Sequence, residues 1–382
     1  LMMEDADRHT RVVTVRSSTK AGWLIGDPVF GKAKKESIER YLEESDYTNL
    51  LQTINGHYRL IVFDRKNISL TISSSLFGIL PLYYHLDSEM VYVSTNSKSI
   101  SNATGQTKIN KRFILKRIPA NHLLNISAKS ARFIKHNDIS DWFVQHPKPW
   151  KRSTGEMSDL FIDRVQHYLP DEPYIHALTG GFDGRSLVAC GLYHQKKFET
   201  YSFGNELSDD TRIAAELCSI SGLKFNLIPL DQGYVTDHSL ADGLEFITNS
   251  EGNAGFARAH YLFSCKVLSK KTKYLVTGNF GSEIFRAAHN AGAVISNNLY
   301  HLFNTGNIDE ALQRVENSPE FNWINREEMA GEWDELRSDI ATLPVFCNFY
   351  PGMSQNEKFY LFVFEEVFRK YFGPEMVNQF HY

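Results

Sequence analysis

The residues best suited to chemistry fall in the stretch 174–190, YIHALTGGFDGRSLVAC. A short apolar run ends at Thr179, Gly180 and Gly181 follow, Asp183 comes two residues later, and a helical pattern begins near Arg185. Strand, glycine turn and helix start in that order can hold phosphate. Glycines let the backbone come close, turn N–H groups point inward, and the helix presents its positive end to an anion. Asp183 would repel phosphate oxygens unless a divalent cation lay between, so the same loop predicts Mg²⁺. Arg185 adds a guanidinium able to pair bidentately with phosphate. A tight βα turn with an exposed aspartate and a solvated arginine would produce the same letters, so context decides. A second stretch, YLVTGNFGSEIFR at 274–286, repeats the order, with Gly278, Gly281, Ser282 and Glu283 in or after its turn. Two glycine turns on separate strands, each carrying one acid, match what a bridging Mg²⁺–pyrophosphate requires.

Such turns need a sheet to carry them. From residue 174 the chain alternates strand and helix: strands at 174–179, 198–203, 224–229 and 273–277, helices at 185–195, 209–221, 238–249 and 257–269, and a further helix from about 283. Alternation of this kind predicts a parallel sheet covered on both faces, with ligands at the carboxyl ends of its strands. A helix at 154–169, closed by Pro170, precedes it, and helices at 309–317, 326–342 and 356–372 follow. Residues 11–136 read instead as short alternating strands separated by polar turns, at 12–15, 56–63, 68–73, 81–85 and 90–94, with one helix at 35–51 laid among them. That predicts a layered α+β domain over residues 1–136, a Pro- and Trp-containing linker over 137–153, and an α/β domain over 154–382 with a helical C-terminal part.

Three strings of the first domain resemble, in the same order, stretches of glutamine-dependent asparagine synthetases. Residues 56–85, GHYRLIVFDRKNISLTISSSLFGILPLYYH, are similar to the segment where a strand pair leads into an "RDRFGIKPLYY"-like turn. Residues 91–100, VYVSTNSKSI, resemble "FASELKAL", and residues 117–124, RIPANHLL, resemble "LPPGHYL". The resemblance implies an Ntn-hydrolase-like layered fold. That family hydrolyses glutamine with the thiol of a cysteine at the mature N-terminus, its own α-amino group acting as base. This chain has no cysteine before Cys190 and no Asn-Gly-Glu turn, since Asn55-Gly56 is followed by His57. A degenerate class II glutamine amidotransferase-like domain, keeping the fold without glutamine hydrolysis, is therefore expected.

Residues 178–186, LTGGFDGRS, resemble the "SGGLDS" pyrophosphate-binding loop of the N-type ATP pyrophosphatases, the adenylating half shared by asparagine synthetase, β-lactam synthetase and lasso-peptide cyclases. Thr179 stands for the first serine, Gly180, Gly181 and Asp183 match, and Gly184 replaces the final serine. The second turn resembles "SGEGADELF" or "TGYGSDI". With Asn279 as an insertion Glu283 takes the metal role beside Asp183, and without a gap Ser282 falls there. The resemblance implies Ser202, Phe203 and Gly204 as adenine neighbours, and Asp209 or Asp210 as an acid opening the next helix. Ser208 followed by two aspartates is equally an N-cap with first-turn acids. Glu251, Asn253 and Arg258, in a loop of small and polar residues, are candidate acceptor-substrate contacts.

The activity implied is ATP- and Mg²⁺-dependent adenylation of a small-molecule or peptide carboxylate, followed by amide bond formation with release of AMP and pyrophosphate. Asp183, Glu283 and Arg185 carry it. The lysine and Tyr-Glu pair that assist the second half in such enzymes have no match. Their place lies beyond Tyr382 or among Lys358, Tyr360, Glu365 and Glu366. Two other readings stand beside this one: a non-catalytic nucleotide- or partner-binding relative, and a glutamine-dependent asparagine synthetase whose N-terminal cysteine is missing from this sequence.

Composition sets the outer bounds. At 382 residues two domains are expected, and 42% hydrophobic with 23% charged residues is the balance of a globular chain rather than a disordered one. A formal charge of −4 gives no electrostatic case for nucleic acid or an anionic membrane. No apolar run is long enough to span a bilayer, and the four widely spaced cysteines fit free thiols in a reducing compartment, so a cytoplasmic location is expected. His85, His260 and His289 show no HxxxH or HExxH spacing that would suggest a metal site. The start at Leu-Met-Met and the stop directly after a helical stretch suggest that one or both natural ends lie outside the sequence.

Overall fold

A computed structural model describes residues 12–16, 18–30, 40–87, 90–105, 116–128, 130–143, 148–279, 281, 297–323, 326–343, 345–346 and 350–380. Its N-terminal strands are β1 (Val12–Arg16), β2 (Lys20–Val29), β3 (Asn55–Asp64), β4 (Ser69–Ser74), β5 (Tyr83–Leu86), β6 (Val91–Ser94), β7 (Lys116–Arg117), β8 (His122–Ser127) and β9 (Ser130–Lys135). Helices α1 (Tyr47–Thr53) and α2 (Ser97–Thr104) interrupt them. Six strands form one antiparallel sheet in the order β1-β2-β3-β4-β8-β9, and three form a second, β6-β5-β7. Side chains alternate across a strand, so neighbouring residues serve opposite layers. Leu60 and Val62 join Leu24, Leu42, Leu50 and Leu51 on the helical side. Ile61, between them, packs with Ile72, Leu82, Tyr84, Ile118 and Leu124 on the side of the smaller sheet. The layered α+β arrangement expected of this segment is present.

The helix expected at 35–51 is not continuous. Residues 40–43 are helical, Ser45 is left-handed at φ 59°, and Asp46 restarts the chain by accepting the Asn49 N–H at the head of α1. The first turn is held at its end by buried Lys20, whose Nζ donates to the carbonyls of Leu42 at 2.8 Å and Glu43 at 2.7 Å. Residues 31–39 of that expectation lie outside the described residues. Gly26 of β2 pairs with Tyr58 and Gly56 of β3 pairs with Pro28; at φ 124° and 86°, a methyl on either would run into a backbone carbonyl of the facing strand.

Further along come α3 (Trp150–Val165), β10 (Tyr174–Ala177), α4 (Phe182–Tyr193), β11 (Phe198–Gly204), α5 (Asp209–Ser221), β12 (Phe225–Pro229), α6 (Gln232–Asp237), α7 (Ser239–Asn249), α8 (His260–Leu268) and β13 (Leu275–Val276). The four strands form a parallel sheet in the order β12-β11-β10-β13. It is apolar on both faces, as parallel sheets require. Tyr174 meets Val165, Leu169 and Cys190 on one side, while Ile175, Tyr201 and Ile228 meet Leu268 on the other. The order reverses at β10, with β11 and β12 to one side and β13 to the other, which opens a crevice at the carboxyl ends. Of the linker expected at 137–153, Ile139–Phe143 is a 3-10 turn and α3 begins at Trp150.

The remainder is helical: α9 (Asn297–Thr305), α10 (Ile308–Glu316), α11 (Arg326–Thr342), α12 (Gln355–Phe362), a π-helical run over Val363–Phe372, and α13 (Gly373–Phe380). The helix expected from about 283 falls on residues outside the description. The chain divides into two compact units, one of Leu1–Asn137, Pro147–Asn279 and Phe368–Tyr382, the other of Asp138–His146 and Phe280–Val367.

Candidate functional site

β10 delivers the first glycine turn. Leu178 is buried and still paired with β11 through its N–H to the Tyr201 carbonyl at 2.9 Å, so the chain leaves the sheet only at Thr179. Gly181 is the N-cap of α4, in extended conformation and without a side-chain cap, which points the first N–H groups of α4 outward over the turn. The Gly181 N–H donates to Thr179 Oγ at 3.1 Å, and the Gly180 N–H donates to Asp210 Oδ1 at 3.2 Å. Arg185 Nε donates to the Gly181 carbonyl at 3.2 Å, and its guanidinium lies 4.3 Å over the exposed Phe182 ring. That stacking holds the cation at the mouth of the turn. Asp183 is half-buried in the first turn of α4.

Two glycines of this site have steric reasons. A Cβ on Gly184 would lie 3.0 Å from the Ala177 carbonyl oxygen, so a side chain there requires β10 to give by a few tenths of an ångström. A Cβ on Gly278 would lie 2.7 Å from the Gly184 nitrogen and 2.9 Å from the Asp183 carbonyl carbon. Gly278 follows β13, which pairs with β10 through Ile175–Leu275 and His176–Val276. The two glycine turns therefore meet backbone to backbone at the point where the strand order reverses. Gly281 is described, but Ser282 and Glu283 lie outside the described residues, so only Asp183 of the two expected carboxylates is placed. Among the described residues no three His, Cys, Asp or Glu side chains gather as a metal cluster.

The neighbours expected for adenine sit at the end of β11, and their side chains are already engaged. The Ser202 hydroxyl is buried and donates to the Leu178 carbonyl at 2.8 Å. The Phe203 ring lies 4.7 Å from His260 and 5.3 Å from Tyr261, both at the start of α8. Burial lowers the His260 imidazole below its ordinary range. Gly204, at φ 128°, gives its carbonyl to the Leu230 N–H. Of the two acids opening α5, Asp209 pairs with Arg212 at 3.1 Å, while Asp210 reaches the first glycine turn. Nothing in the pair Asp209-Asp210 distinguished them in sequence; the turn of α5 decides it.

The loop residues considered as acceptor contacts brace the fold. Glu251, left-handed at φ 54°, accepts the Ser97 N–H at the head of α2. Its carboxylate also bonds the Tyr83 hydroxyl, whose pKa is pushed up by burial first and by Glu251 next. Asn253 Nδ2 donates to the Ser250 carbonyl at 3.0 Å. Arg258 forms a 2.7 Å ion pair with buried Glu375 of α13 and lies 4.9 Å over Tyr261. Burial raises the Glu375 carboxyl against the opposing pull of Arg258. Lys358, Tyr360, Glu365 and Glu366 belong to the second compact unit.

Residues 28–102 match the glutamine amidotransferase domain family. The N-terminal part of the chain is thus glutamine amidotransferase-like, in agreement with the strings at 56–85 and 91–100. Among solved structures, the glutamine phosphoribosylpyrophosphate amidotransferase from B. subtilis complexed with ADP and GMP superposes at a TM-score of 0.25 with 7% identity, over 57% of this chain and 47% of that one. A likeness that loose bears on neither fold nor function, and the chain spans less than half of that structure. No curated protein matches. No helix among the described residues is long and apolar enough to cross a membrane.

Proposed function

We propose that the chain is an asparagine synthetase-like, ATP-dependent enzyme that adenylates a substrate carboxylate and passes the acyl group to an amine, without glutaminase activity. The observation that carries the reading is the meeting of two glycine turns, Gly278 against Asp183 and Gly184, where the parallel strand order reverses. The domain limits 1–136 and 154–382, ATP and Mg²⁺ as requirements, and a cytoplasmic location belong to the same proposal. So does the absence of glutamine hydrolysis.

ATP is a substrate here. The carboxylate oxygen of the acid attacks the α-phosphorus, the bond to the bridging oxygen breaks, and pyrophosphate leaves. The amine then attacks the acyl carbon, AMP departs and the amine proton is lost to solvent. The leaving pyrophosphate is received by the glycine-turn N–H groups, the N-terminus of α4 and the Arg185 guanidinium, which act as donors aimed at developing charge. The donor set suits Mg²⁺: Asp183 supplies a hard carboxylate oxygen and Thr179 a hydroxyl beside a turn whose two glycines carry no side chain, with Glu283 as the second carboxylate. Bound Mg²⁺ would neutralise charge on the leaving phosphates.

Exchange of labelled pyrophosphate into ATP, run with amino acids, peptide acids and other carboxylates, tests the reading. Exchange with one of these classes is expected, falling on the order of 100-fold in Asp183→Asn. No exchange with any acid together with no binding of Mg–ATP refutes it. Mg–ATP binding without exchange would leave the non-catalytic nucleotide-binding reading, which Gly184 in place of the serine favours.

A further inference from the structure

We propose that Asp210 is a built-in competitor for the anion site, occupying the Gly180 N–H until phosphate displaces it. The inference rests on the reading of 179–185 as a pyrophosphate-binding turn and adds its regulation. Of the two glycine N–H groups in that turn, one is internally satisfied by Thr179, and the other is taken by a carboxylate 30 residues away. A carboxylate on an N–H that is meant for phosphate is a phosphate mimic of the same sign. Asp210 reaches it because α5 packs on the turn, where a Cβ on Gly180 would lie 3.1 Å from Ile213 Cδ1. That apolar contact does not depend on the carboxylate. Neither does the cap of α5, which Ser208 supplies through the Thr211 N–H. Asp210 can therefore turn away while helix and loop stay seated. Its removal should open the site instead of collapsing it.

Asp209 supplies the control. It lies in the same helical turn and has the same charge, but it faces Arg212. If Asp210 competes for the N–H, Asp210→Ala binds Mg–pyrophosphate about 3- to 10-fold more tightly than the unaltered chain, and Asp210→Asn, which keeps an acceptor, tightens less. Amide hydrogen exchange at Gly180 in the unliganded protein is faster in Asp210→Ala. Asp209→Ala changes neither. Calorimetric titration of the full chain with Mg–pyrophosphate, with exchange read by mass spectrometry, measures all three. Equal or weaker binding by Asp210→Ala, while the unaltered chain binds, overturns the inference and leaves the pyrophosphate reading standing. Equal tightening by Asp209→Ala overturns it as a net-charge effect. Failure of every form to bind pyrophosphate sinks the turn's assignment and this inference together.

Discussion

Two histidines are buried as neutral groups, and acid should unfold the protein through them. His176 sits inside β10, fully buried, and burial lowers its imidazole to about 4 against a small raising pull from the Ala177 carbonyl. His136 is 2% exposed and burial likewise lowers it to about 4. Burial lowers His57 too, although its side chain is only half-buried and partly reached by solvent. The folded state keeps both rings neutral, whereas the unfolded chain protonates them near pH 6.5. Their stability is therefore fully present above about 6.5 and is lost as pH falls toward 4. At pH 5 each ring has lost about 2 kcal/mol, so the pair has lost about 4 kcal/mol as an upper bound. That is a large share of the 5–15 kcal/mol a domain of ordinary stability has. Ordinary carboxylates titrate mainly below pH 5, and the raised Glu375 acts in the opposite direction, so the window from 6.5 to 5 isolates the imidazoles. Urea unfolding at pH 7.5, 6 and 5 measures the loss. His176→Asn, which keeps a donor for the Ala177 carbonyl, should lower stability at pH 7.5 through lost packing but flatten the pH dependence by about 2 kcal/mol. A flat profile in the unaltered protein, or an unchanged slope in His176→Asn, refutes the account.

Two substitutions probe the site and its support. Gly278→Ala places a methyl 2.7 Å from the Gly184 nitrogen, and the resulting shift should cost about 1–3 kcal/mol in urea unfolding and weaken Mg–ATP binding in the same protein. A fully stable variant that binds as before would contradict the close approach. Arg258→Ala leaves the Glu375 carboxylate buried without its partner. Because Arg258 is 39% exposed, the cost should be about 1–3 kcal/mol rather than that of a fully buried pair, and Glu375→Gln in the same background should recover part of it in thermal unfolding.

Much of the architecture was legible because local period and global layer agree. Alternation at Leu60, Ile61 and Val62 gave a two-faced strand, and the strand–helix alternation after residue 174 gave the parallel sheet. What escaped notice has identifiable causes. β2 is ten residues long, yet Gly22, Gly26, Asp27 and Pro28 give it the composition of a turn, and only pairing along all of β3 makes it a strand. The break at Ser45 is invisible in a helical pattern that runs on through it. The glycine turns were found from their letters. Their mutual contact, the seat of Asp210 and the bracing roles of Glu251 and Arg258 are long-range facts that no spacing encodes.

The seam at Gly278, Gly184 and Ala177 is made mainly of main-chain atoms, joined by the Asp183 Cβ. Most tight contacts in proteins can be relieved when a neighbour is trimmed, so one substitution is forgiven by a second. Here the closest atoms belong to the main chain and cannot be trimmed. A larger residue at 278 becomes acceptable only if the main chain at Asp183 and Gly184 moves away, and that shift would alter both turns at once. The two loops are thus bound to change together when residue 278 changes, whereas a side chain at 184 meets β10, at the Ala177 carbonyl.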